Sequence, residues 1–254
     1  MEVSRGAKQA VSSARAGAAA LLLAIAAAGC TTDGRPSAGT PQSTSGAPPA
    51  QGGGAPTPLS SGRRTLLILG TSLTAGLGLD PEQAYPALLQ QKIDSAGLPY
   101  EVVNAGVSGE TSAGALRRVD WLLRRPIGVF VLETGANDAL RGLDVDSTKE
   151  HIAAIVRAVH RAQPSAGVCV VQMEAPPNMG PRYATAFHAL FGAVARSEGA
   201  TLLPFLLDGV AGHAALNQGD GMHPNVRGEQ LVAATVWGAL EPVLRKELDV
   251  RPRR

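Results

Sequence analysis

Five short apolar runs alternate with longer amphipathic stretches from Thr65 onward, and this alternation sets the expected fold. Leu66-Leu67-Ile68-Leu69, ended by Gly70, offers solvent no polar residue, so it reads as a strand buried on both faces. Glu101–Ala105, Gly128–Leu132, Val168–Met173 and Thr201–Leu203 are the strands expected after it. Pro86 suits a first helical turn, and Ala87, Leu88, Leu89 and Ile93 carry an apolar face that stops at Gly97. Tyr85 precedes that proline, so Leu77 to Tyr85 is expected to be loop. Thr111 or Ser112 caps a second helix, with Leu116, Val119, Leu122 and Leu123 on one side, and Pro126 ends it. Ile152, Ile155, Val156 and Val159 fall at i, i+3, i+4 and i+7, the spacing of a third helix. Pro176 to Pro181 is an irregular loop, followed by a fourth helix from about Tyr183 to Ser197. Asn225 caps the last helix, whose inner face is Leu231, Val232, Thr235, Val236 and Leu240. Right-handed crossovers turn such an alternation into a parallel sheet covered on both sides. The expected class is therefore α/β, a three-layer α/β/α sandwich around a flavodoxin-like five-stranded parallel sheet.

Ahead of the first strand the pattern changes character twice. Arg5, Lys8 and Arg15 precede an apolar run from Ala16 to Gly29 that is too short and alanine-rich for a spanning helix of about 20 residues. Basic flank, short apolar run and small residues are the features of a secretory signal. The break Ala27-Ala28-Gly29-Cys30 resembles a bacterial lipobox, in which the signal is cut before a cysteine that receives a lipid. Residues 1–29 are thus expected to be a lipoprotein-type signal, with an ordinary secretory signal cut nearby as the alternative. Residues 30–62 are dominated by Pro, Gly, Ser and Thr and cannot bury enough surface to offset their ordering entropy, which makes a flexible linker. The folded domain is expected over 63–248, with a basic tail at 249–254. The expectation is an exported protein of the bacterial cell envelope, a monomer touching membrane only through a lipid on Cys30.

Charge and composition narrow the partners. Twenty-three basic and 21 acidic residues leave a formal charge of +2, no reason to expect nucleic acid, and at 4% aromatic residues there is little to stack bases on. Cys30 and Cys169 form no disulfide framework, and Cys169 inside Val168–Val171 reads as a buried, inert thiol. Histidines and cysteines are not clustered as a metallohydrolase needs, so neither metal nor cofactor is expected. Gly70, Gly76 and Gly78 are followed by no Gly-Lys-Ser/Thr, which argues against a phosphate-binding loop.

The remaining chemistry gathers at strand ends. Ligands of open parallel sheets bind outside the carboxyl ends of the strands, and Ser72 lies in the small-residue turn after the first one. A serine hydroxyl becomes a useful nucleophile when a base takes its proton. His223, in Asp220-Gly221-Met222-His223-Pro224, is biased toward a loop by its proline, and a turn through Gly221 can bring Asp220 back to its imidazole. His151, His160, His188 and His213 have no comparable partner in the sequence. Attack on an acyl carbonyl creates an oxyanion that needs fixed donors. Gly109 in Val107-Ser108-Gly109-Glu110-Thr111 can offer its N–H, Asn137 in Glu133-Thr134-Gly135-Ala136-Asn137-Asp138 its side-chain amide, and Ser72 its own N–H. An α/β-hydrolase expects Gly-x-Ser-x-Gly, but Thr74 holds the last glycine position.

Four ordered blocks now resemble the SGNH (GDSL-type) hydrolase family: Leu69–Thr74, Asn104–Thr111, Gly135–Asp138 and Asp220–Asn225. Ser72, Gly109, Asn137 and His223 match the four letters of the family name and Asp220 its carboxylate. The resemblance extends over roughly Arg63 to Leu248 and is nearest to the thioesterase I/lysophospholipase/arylesterase branch. It implies the SGNH fold and a serine esterase with broad acyl tolerance, acting on a small-molecule ester or thioester or a lysophospholipid. It also implies that Leu140, Arg141, Gly142, Leu143, Pro177, Asn178 and Met179 line the acyl pocket. A carbohydrate O-acetylesterase and a non-catalytic surface-binding domain of the same fold are the alternatives. Thr71 stands where the family usually has Asp, and Ala136 where Gly is frequent; a tuned turn is expected from the first and a small steric change from the second.

Overall fold

The computed structural model describes residues 62–249; the signal-like segment, Cys30, nearly all of the linker and the tail from 250 lie outside the described residues. Five strands are separated by helices: β1 (Arg64–Gly70), β2 (Tyr100–Gly106), β3 (Val129–Leu132), β4 (Gly167–Gln172) and β5 (Thr201–Phe205). The helices are α1 (Ser72–Ala75), α2 (Tyr85–Ser95), α3 (Ser112–Leu122), α4 (Ala136–Leu140), α5 (Val145–Ala162), α6 (Pro181–Glu198) and α7 (Val226–Asp249). All strand pairings are parallel, in the order β2-β1-β3-β4-β5. Helices α2 and α7 pack together as one layer, and α3, α5 and α6 as the other, so the expected three-layer sandwich is the one found.

The apolar runs occupy the sheet as their composition demands. β3 and β4 are buried throughout, and β1 from its second residue, whereas β2 and β5 are half-exposed edges. Facing helices supply Leu89, Ile93, Ile152, Val156, Phe187, Phe191, Val236 and Leu240, all at 2% exposure or less. Full burial of each such side chain stabilises by roughly 1.5–3 kcal/mol before entropy is counted. Cys169 is buried in this core, and desolvation pushes its thiol up to about 12, which leaves it an unreactive filler.

Three local expectations need correction. The helix expected from Pro86 begins at Tyr85, and a short 3₁₀ turn, Pro81–Gln83, occupies the preceding loop. Ala84 at the cap has no side chain to offer, but the Glu229 carboxylate accepts the Tyr85 N–H at 2.7 Å, so a distant residue overrides the local bias before proline. Pro177–Met179 also forms a 3₁₀ turn. On α7, Leu231 is 43% exposed, and the inward face holds Glu229, Val232, Ala233, Val236, Leu240 and Leu244.

Candidate active site

Ser72 is held by a turn that folds back on its own strand. A Cβ on Gly70 would lie 1.9 Å from Thr74 Oγ1 and 2.8 Å from Glu133 Oε2, so glycine is required for the closure. Beneath the turn sits the Glu133 carboxylate, with no solvent exposure. It accepts the Thr71 N–H (2.7 Å), the Thr71 hydroxyl (3.0 Å) and the Thr74 hydroxyl (2.9 Å). Tyr85 OH lies 2.8 Å from Thr74 Oγ1; as that hydroxyl gives its proton to Glu133, it accepts the tyrosine's. Burial raises the Glu133 pKa and the threonine donors oppose it. Thr71 thus supplies two donors where an aspartate would set a second carboxylate against Glu133. In the sequence Glu133 is marked only by its place in a turn, as an acidic residue directly after the apolar run Val129–Leu132.

The base arrives from the loop between β5 and α7. His223 Nε2 lies 2.8 Å from Ser72 Oγ, and its Nδ1 lies 2.6 Å from Asp220 Oδ2. The other Asp220 oxygen accepts the N–H of His223 at 3.0 Å and of Met222 at 2.9 Å. The His223 N–H, then its imidazole and the Met222 N–H, hold the Asp220 carboxyl down at about 2. Gln218 closes the loop: its N–H donates to His223 O at 2.7 Å and its side chain to Leu77 O (2.7 Å) and Pro224 O (2.9 Å). Asn225 accepts the N–H groups of Arg227 and Gly228 at 3.0 and 3.1 Å, the cap expected for α7.

The expected oxyanion donors leave the ends of neighbouring strands. Gly70 pairs with Gly106 and Leu69 with Leu132, so the segments after β1, β2 and β3 emerge side by side. Gly109 has φ +76°, which glycine adopts without strain. Its carbonyl accepts Arg141 Nη2 at 2.9 Å, while Glu110 beside it is paired with Arg118 at 2.6 Å. Asn137 lies half-buried on the first turn of α4. Among the described residues, the N–H groups of Ser72 and Gly109 donate no backbone hydrogen bond, leaving both available to a ligand.

The expected pocket segments also meet. Leu140 and Leu143 are 51% and 40% exposed, and a Cβ on Gly142 would lie 3.4 Å from Met179 Cε. Arg141, Pro177 and Asn178 are exposed beside them. Three histidines with no partner legible in the sequence have one in the fold: His160 Nε2 lies 3.0 Å from Glu198 O, and two others meet side chains. His188 Nδ1 lies 2.6 Å from Glu174 Oε1, and His151 Nδ1 lies 3.0 Å from Ser112 Oγ. Both partners are brought in by tertiary packing from other elements, which spacing along the chain does not reveal. A surface groove of about 630 Å3 lies elsewhere, between α2 and α7, lined by Leu88, Lys92, Trp237 and Glu241. It holds none of these groups. Among the described residues no three His, Cys, Asp or Glu side chains group as metal ligands would.

Known proteins share this arrangement of sequence and fold. The chain is 42% identical over 183 residues to esterase TesA of Pseudomonas aeruginosa, covering 71% of this chain and 90% of that protein. It is 36% identical over 184 residues to thioesterase 1/protease 1/lysophospholipase L1 of Escherichia coli, covering 72% and 86%. The crystal structure of a psychrotrophic esterase, EstA from Pseudoalteromonas sp., inhibited by monoethylphosphonate, superposes with a TM-score of 0.68 at 36% identity, over 72% of this chain and 99% of that one. The profile of the GDSL-like lipase/acylhydrolase family matches residues 68–231. With a serine, an imidazole and a carboxylate in hydrogen-bonded series at the mouth of that fold, the chain belongs to the GDSL-like (SGNH) hydrolases and is an ester hydrolase of that family.

Proposed function

We propose that this protein hydrolyses carboxylic esters and thioesters of hydrophobic acyl groups through an acyl-enzyme on Ser72. The reading rests above all on the 2.8 Å approach of His223 Nε2 to Ser72 Oγ with Asp220 at 2.6 Å behind the ring. His223 takes the Ser72 proton as Oγ attacks the carbonyl carbon, forming a tetrahedral oxyanion. The N–H groups of Ser72 and Gly109 and the Asn137 amide receive the negative charge. The imidazolium then gives its proton to the departing alcohol or thiol. Water, deprotonated by the same nitrogen, attacks the acyl-enzyme and releases the acid. Asp220 holds the Nδ1–H tautomer throughout and stabilises the imidazolium.

Leu77, Val107, Leu140, Leu143 and Met222 are each at least 40% exposed on the segments that carry or border this machinery. Exposed apolar side chains at the mouth of a catalytic centre favour acyl chains over sugar hydroxyl-rich substrates. Hydrolysis of p-nitrophenyl esters from acetyl to palmitoyl, with acyl-CoA and lysophosphatidylcholine alongside, measures the preference. Ser72→Ala should lower kcat at least 1000-fold on every substrate; a variant within 10-fold of wild type would place the nucleophile elsewhere.

We also propose export and lipid attachment at Cys30, on the strength of the basic flank, apolar run and Ala27–Cys30 break. Cells fed labelled palmitate should mark the protein, and Cys30→Ser should abolish the label.

A further inference from the structure

We propose that Ser112 and Asp138, closed by His151, are positioning residues that lock the oxyanion donors Gly109 and Asn137 into one geometry. The proposal rests on the reading of Gly109 and Asn137 as those donors. Gly109 lies three residues before Ser112, the first residue of α3, and Asn137 is the immediate neighbour of Asp138 on α4. Ser112 and Asp138 are 0% and 1% exposed. Both donors of Ser112 end on that carboxylate: the N–H at 2.8 Å from Oδ2, the hydroxyl at 2.5 Å from Oδ1. A carboxylate at the first turn of α3 also meets the positive end of the helix dipole.

The Ser112 hydroxyl has one proton, and the Asp138 carboxylate takes it. His151 Nδ1, 3.0 Å away on α5, must therefore be the protonated nitrogen and donate to the serine oxygen. Thr148, one turn earlier on α5 and 1% exposed, sets its hydroxyl 3.3 Å from Asp138 Oδ1 and 3.0 Å from Asp144 O. One helix thus braces the joint between the first turns of two others. Arg141 adds a second tie from α4's end to the Gly109 carbonyl at 2.9 Å. None of these groups touches Ser72, His223 or Asp220 through a hydrogen bond, so the triad and the clamp are separate networks. Oxyanion stabilisation depends on donor placement at the sub-ångström scale, which a hydrogen-bonded pair of buried side chains supplies and a free loop does not.

The test uses Ser112→Ala and Asp138→Asn in the full chain, with Asn137→Ala as control. Competent sites are counted by fluorophosphonate titration, and kcat is expressed per titrated site. Affinity for an alkylboronic acid, whose tetrahedral adduct on serine carries the oxyanion charge, is measured in parallel. Expected for each clamp variant are a kcat lower by about 10- to 100-fold, a KM within about threefold, and a boronic-acid affinity reduced by a similar factor to kcat/KM. His151→Gln should give a smaller loss of the same pattern, and serves if Asp138→Asn folds poorly. Unchanged kcat per titrated site overturns the proposal, as does a loss confined to the number of competent sites or to melting temperature. So does a fall in kcat that boronic-acid affinity does not follow. If Asn137→Ala itself leaves kcat and boronic-acid affinity intact, the assignment of the donors fails instead.

Discussion

At the scale of single residues, Asp220 has two jobs, and its hydrogen bonds separate them. Asp220 uses one oxygen to organise its own loop through the Met222 and His223 N–H groups, and the other to hold the imidazole. Asp220→Asn should keep the first job, since an amide oxygen accepts the same two donors. It should lose the second, because an amide NH2 facing Nδ1 selects the tautomer with the proton on Nε2, where Ser72 needs a lone pair. The expected result is a kcat lower by about 1000- to 10,000-fold at neutral pH with a nearly unchanged melting curve. Steady-state hydrolysis alongside circular dichroism checks both halves; a variant that unfolds would assign Asp220 a mainly structural role. The pH dependence follows from sign. Asp220 lies below its ordinary value, so its contribution to stability is present above about pH 4 and is lost as pH falls through about 2. On mild acidification Asp220 therefore stays ionised and keeps both of its acceptor roles. The Asp220–His223 pairing is legible in the sequence because the partners lie three positions apart with a glycine between them. Glu133 is not, because its donors Thr71 and Thr74 lie some sixty positions away.

At the scale of elements, helix ends show where local rules suffice and where they do not. Thr111 and Asn225 cap α3 and α7 with their own side chains, and both were readable as caps. α2 has alanine at its cap and borrows Glu229 from α7, a carboxylate at 2% exposure. Burial raises Glu229 from 4.5 to about 7 against the opposing Tyr85 N–H. Between those values the folded protein holds a proton that the unfolded chain has released. Stability from this group is complete below about pH 4.5 and declines as pH rises through about 7, by on the order of 3 kcal/mol when titration is complete. Glu229→Gln keeps an acceptor for Tyr85 without the charge. It should melt several degrees above wild type at pH 8 and close to it at pH 4.5, as read by thermal melts across that range. Glu133, raised in the same direction, leaves a residual slope of the same sign in both proteins. Identical slopes in variant and wild type would mean that the proton is not on Glu229. The exposed Leu231 has the same lesson: α7's inward stripe is set by the groups that meet α2 and the sheet, including a glutamate whose spacing fits the stripe and whose polarity alone assigns it to solvent.

At the scale of the molecule, strand order explains why residues 151 positions apart meet. The chain lays β2 on one side of β1 and β3, β4 and β5 on the other, so the direction of winding reverses between β1 and β3. Helical connections leave from opposite faces there, and a crevice opens at the carboxyl ends. Ser72 follows one lip of that crevice and Asn137 the other, with Gly109 from the adjoining β2. Alternation of apolar runs and amphipathic segments was enough to expect a parallel sheet, because run length and crossover handedness leave few alternatives. It could not rank the strands, since β1, β3 and β4 are equally apolar and the edges differ from them only by partial exposure. What placed the site in advance was chemistry spaced at successive strand ends, a small-residue turn or glycine-bearing loop after each of the first three. The supports behind that chemistry are hidden in the sequence for a common reason. Glu133, Glu229 and the Ser112–Asp138–His151 joint all span separate elements, and each is a polar group whose burial only the packed layers create. The groups that face substrate are thus marked by short-range sequence order, while the groups that hold them rigid become identifiable when the sheet brings its loops together.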